Sequence, residues 1–188
     1  MCGEKFGEAL GFVVEVHGGD VRKGTEIPYV SHLLAVCALV LEDGGDEEEA
    51  IAALLHDTLE DHPEEVKRED LVERFGERVA VLVEACSDTP ADFEGGEKPP
   101  WAERKRAYVE QIRSEGYPLS RVALADKLHN TRCMVMDHRR VGEAIWERFN
   151  APKEDQIRMF RDLVEAFRAG GAPAPLVDEL ESLVDELA

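Results

Sequence analysis

A chain of 188 residues is long enough to bury one sizeable core, and a single domain is the default expectation at this length. Its 41 acidic and 22 basic residues give a formal net charge of −19, which argues against nucleic acid or an anionic membrane as a general partner. The four cysteines show no CxxC spacing, and we find no signal peptide, lipidation motif or apolar run of transmembrane length, so we expect a cytoplasmic protein.

The first half of the chain predicts a series of short helices separated by glycines and prolines. A glycine-containing loop over residues 17–27 follows the opening helix, and Gly44-Gly45 ends the next one. Asp46 is a predicted N-cap, and the three glutamates after it suit the first turn of a helix. The predicted helices cover residues 4–16, 28–43, 46–62, 63–75 and 77–87.

The second half opens with the longest irregular piece, residues 88–99, which its prolines and glycines mark as a predicted mobile flap. Prolines at 100, 152 and 175 then suit the first turns of helices. Trp146 and Phe149 are expected to anchor a short segment in the core. The predicted helices cover residues 101–114, 122–140, 152–169 and 175–187.

The pattern as a whole predicts an all-α protein, because we see no convincing β alternation, hairpin turn or internal repeat. We interpret residues 1–188 as one domain with a core over about 5–165 and a carboxy-terminal helical extension over 170–188. That last helix is expected to pack on its own domain. Packing on a second chain, and therefore a homo-oligomer, is left open.

The stretch Ala52–Asp61 is the strongest candidate for a functional site. An apolar run delivers His56, Asp57, Glu60 and Asp61 within six positions, and on a continuous helix these residues form two stacked pairs four apart. An adjacent His-Asp can place an imidazole nitrogen and a carboxylate on one metal ion, a donor set that suits Mn, Fe, Co, Ni or Zn. The alternative is a histidine that caps a core helix beside a solvated acidic end.

Two further candidates lie on apolar helices elsewhere in the chain. His32 borders a buried face, and Asp126 interrupts an otherwise apolar run, where a carboxylate is costly unless it is compensated. Lys127 is the structural partner for Asp126, and a metal ion is the functional one. Among the other histidines, His17 in the glycine loop is the next candidate for a site role, whereas His62 is expected to cap its helix.

These segments together resemble the HD-domain metal-dependent phosphohydrolases, and most closely their (p)ppGpp-hydrolase branch, which contains the RelA/SpoT hydrolase domains and small alarmone hydrolases. The resemblance covers about residues 5–165, and its matching segments are Arg22-Lys23-Gly24, Pro28–His32, Leu55–Asp61 and Leu124–Asn130. It implies an all-α HD-domain helical bundle. One departure is a segment between Lys23 and His32 that is one residue longer than expected.

The resemblance also implies roles for individual residues. It implies a divalent ion, usually Mn in this branch, and an acidic pair that serves the nucleophilic water and proton transfer. It further implies contacts from basic and amide side chains to a nucleotide or its phosphates. The metal ligands would be His32, His56, Asp57 and Asp126, the acidic pair Glu60 and Asp61, and the substrate contacts Arg22, Lys23 and Asn130.

The leading hypothesis from these residues is an enzyme that removes pyrophosphate from the 3′ position of a guanosine polyphosphate. The nearest alternative is an HD-fold nucleotidase or phosphodiesterase acting on another nucleotide. A di-iron oxygenase of the same fold would need more ligands, and His62 is the only extra candidate in the central helix. A non-catalytic sensor with a structural metal is disfavoured, because it has no use for Glu60 and Asp61.

Overall fold

A computed structural model describes residues 2–89 and 99–188 of the chain. Throughout these residues the regular structure is helical, and the only β pairing is an isolated antiparallel bridge between Val21 and Pro28. The all-α prediction is therefore confirmed. Most of the predicted flap, residues 90–98, lies outside the described residues. In the described ranges no helix is long and apolar enough to cross a membrane.

The chain divides into two compact units, Met1–Ser87 with Arg121–Ala125 and Asp88–Ser120 with Asp126–Ala188. In the first unit, one helix, α3 (Glu47–Leu55), lies at the centre of the core. It contacts three other helices, α1 (Glu4–His17), α2 (Val30–Glu42) and α6 (Glu77–Glu84). Its residues from Glu49 to Leu55 are all buried. The helices of this unit are α1 (Glu4–His17), α2 (Val30–Glu42), α3 (Glu47–Leu55), α4 (Thr58–Asp61), α5 (Arg68–Phe75) and α6 (Glu77–Glu84).

The second unit is built around α9 (Lys153–Ala169), whose buried side chains are mostly aromatic and aliphatic. This helix contacts both α7 (Trp101–Glu115) and α10 (Ala174–Leu187). Helix α8 contributes its first five residues to the first unit and its remainder to the second. A 3₁₀ helix over Gly142–Arg148 follows α8, and the Trp146 and Phe149 rings lie 5.9 Å apart but are only half-buried. The α-helices are α7 (Trp101–Glu115), α8 (Arg121–Val141), α9 (Lys153–Ala169) and α10 (Ala174–Leu187).

The predicted N-cap at Asp46 is confirmed as a reciprocal capping box. The Asp46 Oδ1 atom accepts from the Glu49 amide at 3.0 Å, and Glu49 Oε2 accepts from the Asp46 amide at 2.9 Å. The other oxygen of Glu49 accepts from Arg121 at 2.5 Å, so this buried carboxylate is both capped and ion-paired. The start of α3, and hence the position of the residues that follow it, is thereby fixed.

The prediction of one continuous helix over 46–62 is wrong, because the helix breaks at His56-Asp57. The His56 Nδ1 atom lies 2.9 Å from the Ala53 carbonyl oxygen, which a continuous helix would give to the Asp57 amide. The chain resumes in the short helix α4, whose Asp61 amide bonds to the Asp57 carbonyl at 2.8 Å. The break turns the His56 and Asp57 side chains toward one another.

Two other helix boundaries differ from the prediction by about three residues or more. Helix α5 begins at Arg68 rather than Pro63, because Lys67 is extended and its amide donates to Asp70 Oδ2 at 2.8 Å, which starts a new helix there. Helix α6 ends at Glu84 instead of Ser87, and turn residues follow it.

Candidate metal centre

Three of the four predicted metal ligands come together in the first unit. One ligand atom from each of His32, His56 and Asp57 lies within 4.8 Å of the other two. The Asp57 Oδ2 atom is 2.9 Å from His56 Nε2 and 3.7 Å from His32 Nε2. Both imidazoles are buried, and the carboxylate is partly exposed. A cation held here would therefore keep one side open to solvent and substrate.

The contacts of the His56 imidazole favour a positive charge in this cluster. A carbonyl oxygen only accepts, so the contact from His56 Nδ1 to Ala53 O requires the proton on Nδ1. In a neutral imidazole Nε2 then carries a lone pair, and this atom lies 2.9 Å from the Asp57 oxygen. A second imidazole proton, or a metal ion bound to both atoms, would offset the repulsion between these two acceptors. Two imidazole nitrogens and a carboxylate fit a divalent transition metal.

Tyr29 is a site residue that the sequence reasoning did not single out. Its hydroxyl donates to Asp57 Oδ2 at 2.5 Å, and its ring lies 5.5 Å from that of His32. Tyr29 precedes His32 by three residues, so the start of α2 places both side chains at the cluster. The available signal was the tyrosine next to Pro28 in the matching segment. Its contact with Asp57, 28 positions away, exists only in the fold.

The two acidic residues that follow the cluster differ in their surroundings. Glu60 Oε2 accepts a hydrogen bond from the Ser87 hydroxyl at 3.1 Å, a contact the sequence reasoning also missed. Asp61 is exposed as a residue, but the protein packed around its carboxyl group and then the charges of Asp57 and Glu60 raise its pKa to about 6. Asp61 therefore holds a proton at a higher pH than an ordinary aspartate.

The raised pKa of Asp61 makes stability depend on pH in a definite direction. The folded protein binds this proton more tightly than the unfolded chain, so the stabilisation is complete below about pH 4 and is lost as the pH rises through about 6. Asp61→Asn, which removes the charge, is expected to stabilise metal-free protein at pH 8. A shift of about two units corresponds to about 3 kcal/mol, which solvent exposure reduces to about 1 kcal/mol.

The measurement is the thermal midpoint in the presence of a chelator at pH 8 and at pH 4.5. At pH 8 the Asp61→Asn midpoint should lie about 2–4 °C above that of the wild type, and at pH 4.5 the difference should shrink. Asp162→Asn, an exposed aspartate on α9, is the matched control and should follow the wild type at both values. A lower midpoint for Asp61→Asn at pH 8 would contradict the raised pKa.

The predicted phosphate contacts in the glycine loop lie beside Tyr29. The Arg22 guanidinium carbon is 5.6 Å from the centre of the Tyr29 ring, an arrangement typical of cation–π contact. The Arg22 amide bonds to the Ile27 carbonyl at 2.8 Å, and Thr25 Oγ1 donates to the Arg22 carbonyl at 2.8 Å. Lys23 is exposed. The loop therefore presents both cations while its backbone is held by its own hydrogen bonds.

The remaining predicted site residues lie in the second unit and contact one another. Asp126 is 4% exposed, and its carboxylate accepts from Lys127 at 2.6 Å and from Asn130 at 2.5 Å. Lys127 also lies 5.2 Å from the centre of the Tyr108 ring. Arg132 pairs with Glu179 at 2.7 Å, so it is engaged at the surface. The roles of Asp126 as a ligand and Asn130 as a substrate contact stay predictions.

A second cluster of imidazoles and carboxylate, formed by His17, Asp20 and His62, lies in the first unit. His62 ends α4 as predicted, but its side chain contacts Asp20 rather than serving only as a cap. The hydrogen bond to Asp20 raises the pKa of His62, and the same bond lowers the pKa of Asp20. Burial lowers the pKa of His17.

The chain belongs to the HD domain family, whose model matches residues 9–156. Within it, the chain is similar to proteins named guanosine-3′,5′-bis(diphosphate) 3′-pyrophosphohydrolase. It is 51% identical over 84 residues to the one from Aquifex aeolicus, covering 45% of this chain and 12% of that protein. It is 36% identical over 128 residues to the MESH1 protein of Xenopus tropicalis, covering 66% of each chain. The family prediction is confirmed.

Solved structures agree with this assignment. A metazoan ortholog of SpoT that hydrolyses ppGpp superposes with a TM-score of 0.74 at 27% identity, covering 98% of this chain and 96% of that one. The lmo0812 protein of Listeria monocytogenes superposes with a TM-score of 0.70 at 28% identity, covering 87% and 99%. The chain thus spans a small part of the long bacterial relative from Aquifex and nearly the whole of these structural neighbours.

Proposed function

We propose that this chain is a metal-dependent phosphohydrolase that removes pyrophosphate from the 3′ position of a guanosine polyphosphate such as ppGpp, with Mn²⁺ as the native metal. The observation that carries the proposal is the pair of acceptors, His56 Nε2 and Asp57 Oδ2, held 2.9 Å apart beside His32. The names of the relatives from Aquifex aeolicus and Xenopus tropicalis support the substrate.

In this proposal Asp126 completes the ligand set of His32, His56 and Asp57. The matching segment Leu124–Asn130 supports the assignment, and the buried carboxylate, which is 4% exposed, already has one cationic partner in Lys127. The amide of Asn130 and the ammonium of Lys127 hold its two oxygens. When bound, a divalent ion supplies Lewis acidity to a phosphate oxygen and to the attacking water.

The chain's own residues then divide the remaining work. Tyr29 orients Asp57 through its hydroxyl, and the Ala53 carbonyl fixes the His56 tautomer that presents Nε2. Glu60, held by Ser87, is placed one turn beyond the cluster and accepts the proton of the nucleophilic water. The raised pKa of Asp61, about 6, keeps a minority of the molecules protonated near neutral pH, and in that form Asp61 gives its proton to the departing ribose 3′ oxygen. Arg22 and Lys23 neutralise the diphosphate.

The test is a substrate panel with the purified, Mn²⁺-loaded protein. We expect ppGpp to yield pyrophosphate and GDP, with nucleoside monophosphates and a generic phosphodiester turned over at least about 100-fold more slowly, because only the diphosphate engages both loop cations. If the protein releases phosphate from monophosphates but releases no pyrophosphate from ppGpp, the result would instead support an HD-fold nucleotidase. Turnover of none of these compounds with Mn²⁺ bound would support a sensor.

A further inference from the structure

The His17, Asp20 and His62 side chains form a group of metal-type donors that the proposed reaction does not use. They come from three places in the first unit, namely the last residue of α1, the glycine loop and the end of α4. Asp20 Oδ2 lies 2.9 Å from His17 Nδ1 and 2.7 Å from His62 Nε2. The two rings are nearly perpendicular, at 87°, with their centres 4.6 Å apart. We propose that these three residues bind a second divalent transition-metal ion.

The separations between the donor atoms are slightly shorter than such an ion requires. Nitrogen and oxygen ligands of zinc lie about 2.0–2.2 Å from the metal in a tetrahedral arrangement, so neighbouring ligand atoms are roughly 3.3–3.6 Å apart. The two observed separations, 2.9 and 2.7 Å, are shorter than this by roughly 0.5–0.9 Å, so the cluster must open by that amount to admit the ion. Two imidazoles and one carboxylate leave a fourth position for water, as in open zinc sites.

The outer contacts of both imidazoles are those that metal-binding histidines usually make. The ring nitrogen that faces away from Asp20 lies in each case near an oxygen atom. His17 Nε2 is 3.4 Å from the Thr58 hydroxyl, and His62 Nδ1 is 3.7 Å from a Glu65 carboxylate oxygen. In the metal-free protein the inner nitrogens donate to Asp20, so a bound ion would replace their protons, and the remaining imidazole proton would then lie on the outer nitrogen beside these oxygens. The inner nitrogens of both rings point at the same carboxylate oxygen.

The backbone and the solvent exposure of the cluster also favour a binding site. The Asp20 amide bonds to the His17 carbonyl at 3.1 Å, and the Asp20 carbonyl accepts from the Tyr29 amide at 2.9 Å, so the position of Asp20 does not depend on the imidazoles. The His17 side chain is fully buried, whereas those of His62 and Asp20 are 17% and 37% exposed. An ion can therefore enter from the side of His62 and Asp20.

The second site shares no ligand with the first but is joined to it by one side chain. The Tyr29 ring stacks on His17 with centres 5.4 Å apart, and its hydroxyl donates to Asp57. The two sites are therefore neighbours within the first unit. Because their ligands differ, each can be removed without deleting a ligand of the other.

The test counts Zn²⁺ ions bound to the metal-free full-length chain by equilibrium dialysis and elemental analysis. We expect two ions per wild-type chain and one per chain in Asp20→Asn and in His62→Gln, with the lost ion bound at least about 100-fold more weakly, since even outer partners of a ligand contribute 10–100-fold. His138→Gln, a histidine paired with Glu143 at 3.1 Å in the second unit, is the control and should bind two.

The two metal sites are separated by comparing variants. The inference holds if Asp20→Asn and His62→Gln each lose an ion that Asp57→Asn retains, and this result does not depend on any hydrolase activity. It is overturned if both variants keep the wild-type metal content, or if they lose the same ion as Asp57→Asn. Circular dichroism of the metal-free proteins checks that both variants fold, and neither residue belongs to the apolar core.

Discussion

Asp57→Asn is expected to lower the turnover of ppGpp by about 1000-fold or more and to remove one bound metal ion per chain. The amide keeps the shape of the carboxylate, so Tyr29 can still donate to its oxygen, but the negative charge between the imidazoles of His32 and His56 is lost. Metal assistance contributes several kcal/mol to reactions of this type, which corresponds to a rate factor of this size. The measurements are pyrophosphate release and metal content.

The same experiment with Asp126→Asn tests the ligand role proposed for this residue. If Asp126 binds the ion, its variant should match Asp57→Asn in both measurements. Asp162→Asn, an exposed aspartate, is the control for the substitution itself and should keep wild-type turnover. Full metal occupancy in Asp126→Asn would show that its buried carboxylate serves only Lys127 and Asn130, and full occupancy in Asp57→Asn would remove the basis of the proposed reaction.

Most helix boundaries could be predicted because local signals define them. Pro100 and Gly116 enclose α7, Asp46 begins α3 with a capping box, and Pro152 precedes α9. The boundaries that failed depend on side-chain contacts that no periodicity encodes. The break after Leu55 coincides with the bond from the His56 imidazole to the backbone, and a histidine in an apolar run gives no sign of this.

The site was predictable to the extent that its residues are neighbours in the sequence or lie in matching motifs. The His56-Asp57 pair can be recognised because the two residues are adjacent in the sequence. His32 is identified by the resemblance to the HD-domain phosphohydrolases. Tyr29 and Ser87 were missed because their partners, Asp57 and Glu60, are 28 and 27 positions away, and a hydroxyl has no distinctive spacing. The contacts that fix the geometry of the acids are therefore tertiary.

The cluster of His17, Asp20 and His62 was still harder to predict from the sequence. Asp20 in a glycine loop and His62 at a helix end each suit an ordinary local role, and they lie 42 positions apart. Only the fold brings both to His17. The same loop carries Asp20, a ligand of the proposed second ion, and Arg22, one of the two cations proposed to bind phosphate.

Glu60→Gln is expected to keep the metal and lose turnover, by about 100- to 10,000-fold, because it removes a proton acceptor without removing a ligand. The amide remains able to accept the hydrogen bond from Ser87, so the side chain should stay in place. Glu64→Gln, the same substitution at an exposed position four residues later, is the matched control and should retain wild-type turnover.

The decisive comparison is between the metal content and the turnover rate of the Glu60→Gln variant. Loss of the ion along with the rate would make Glu60 a ligand or a support of the fold, and an unchanged rate would assign the proton transfer to Asp61, whose pKa is raised to about 6.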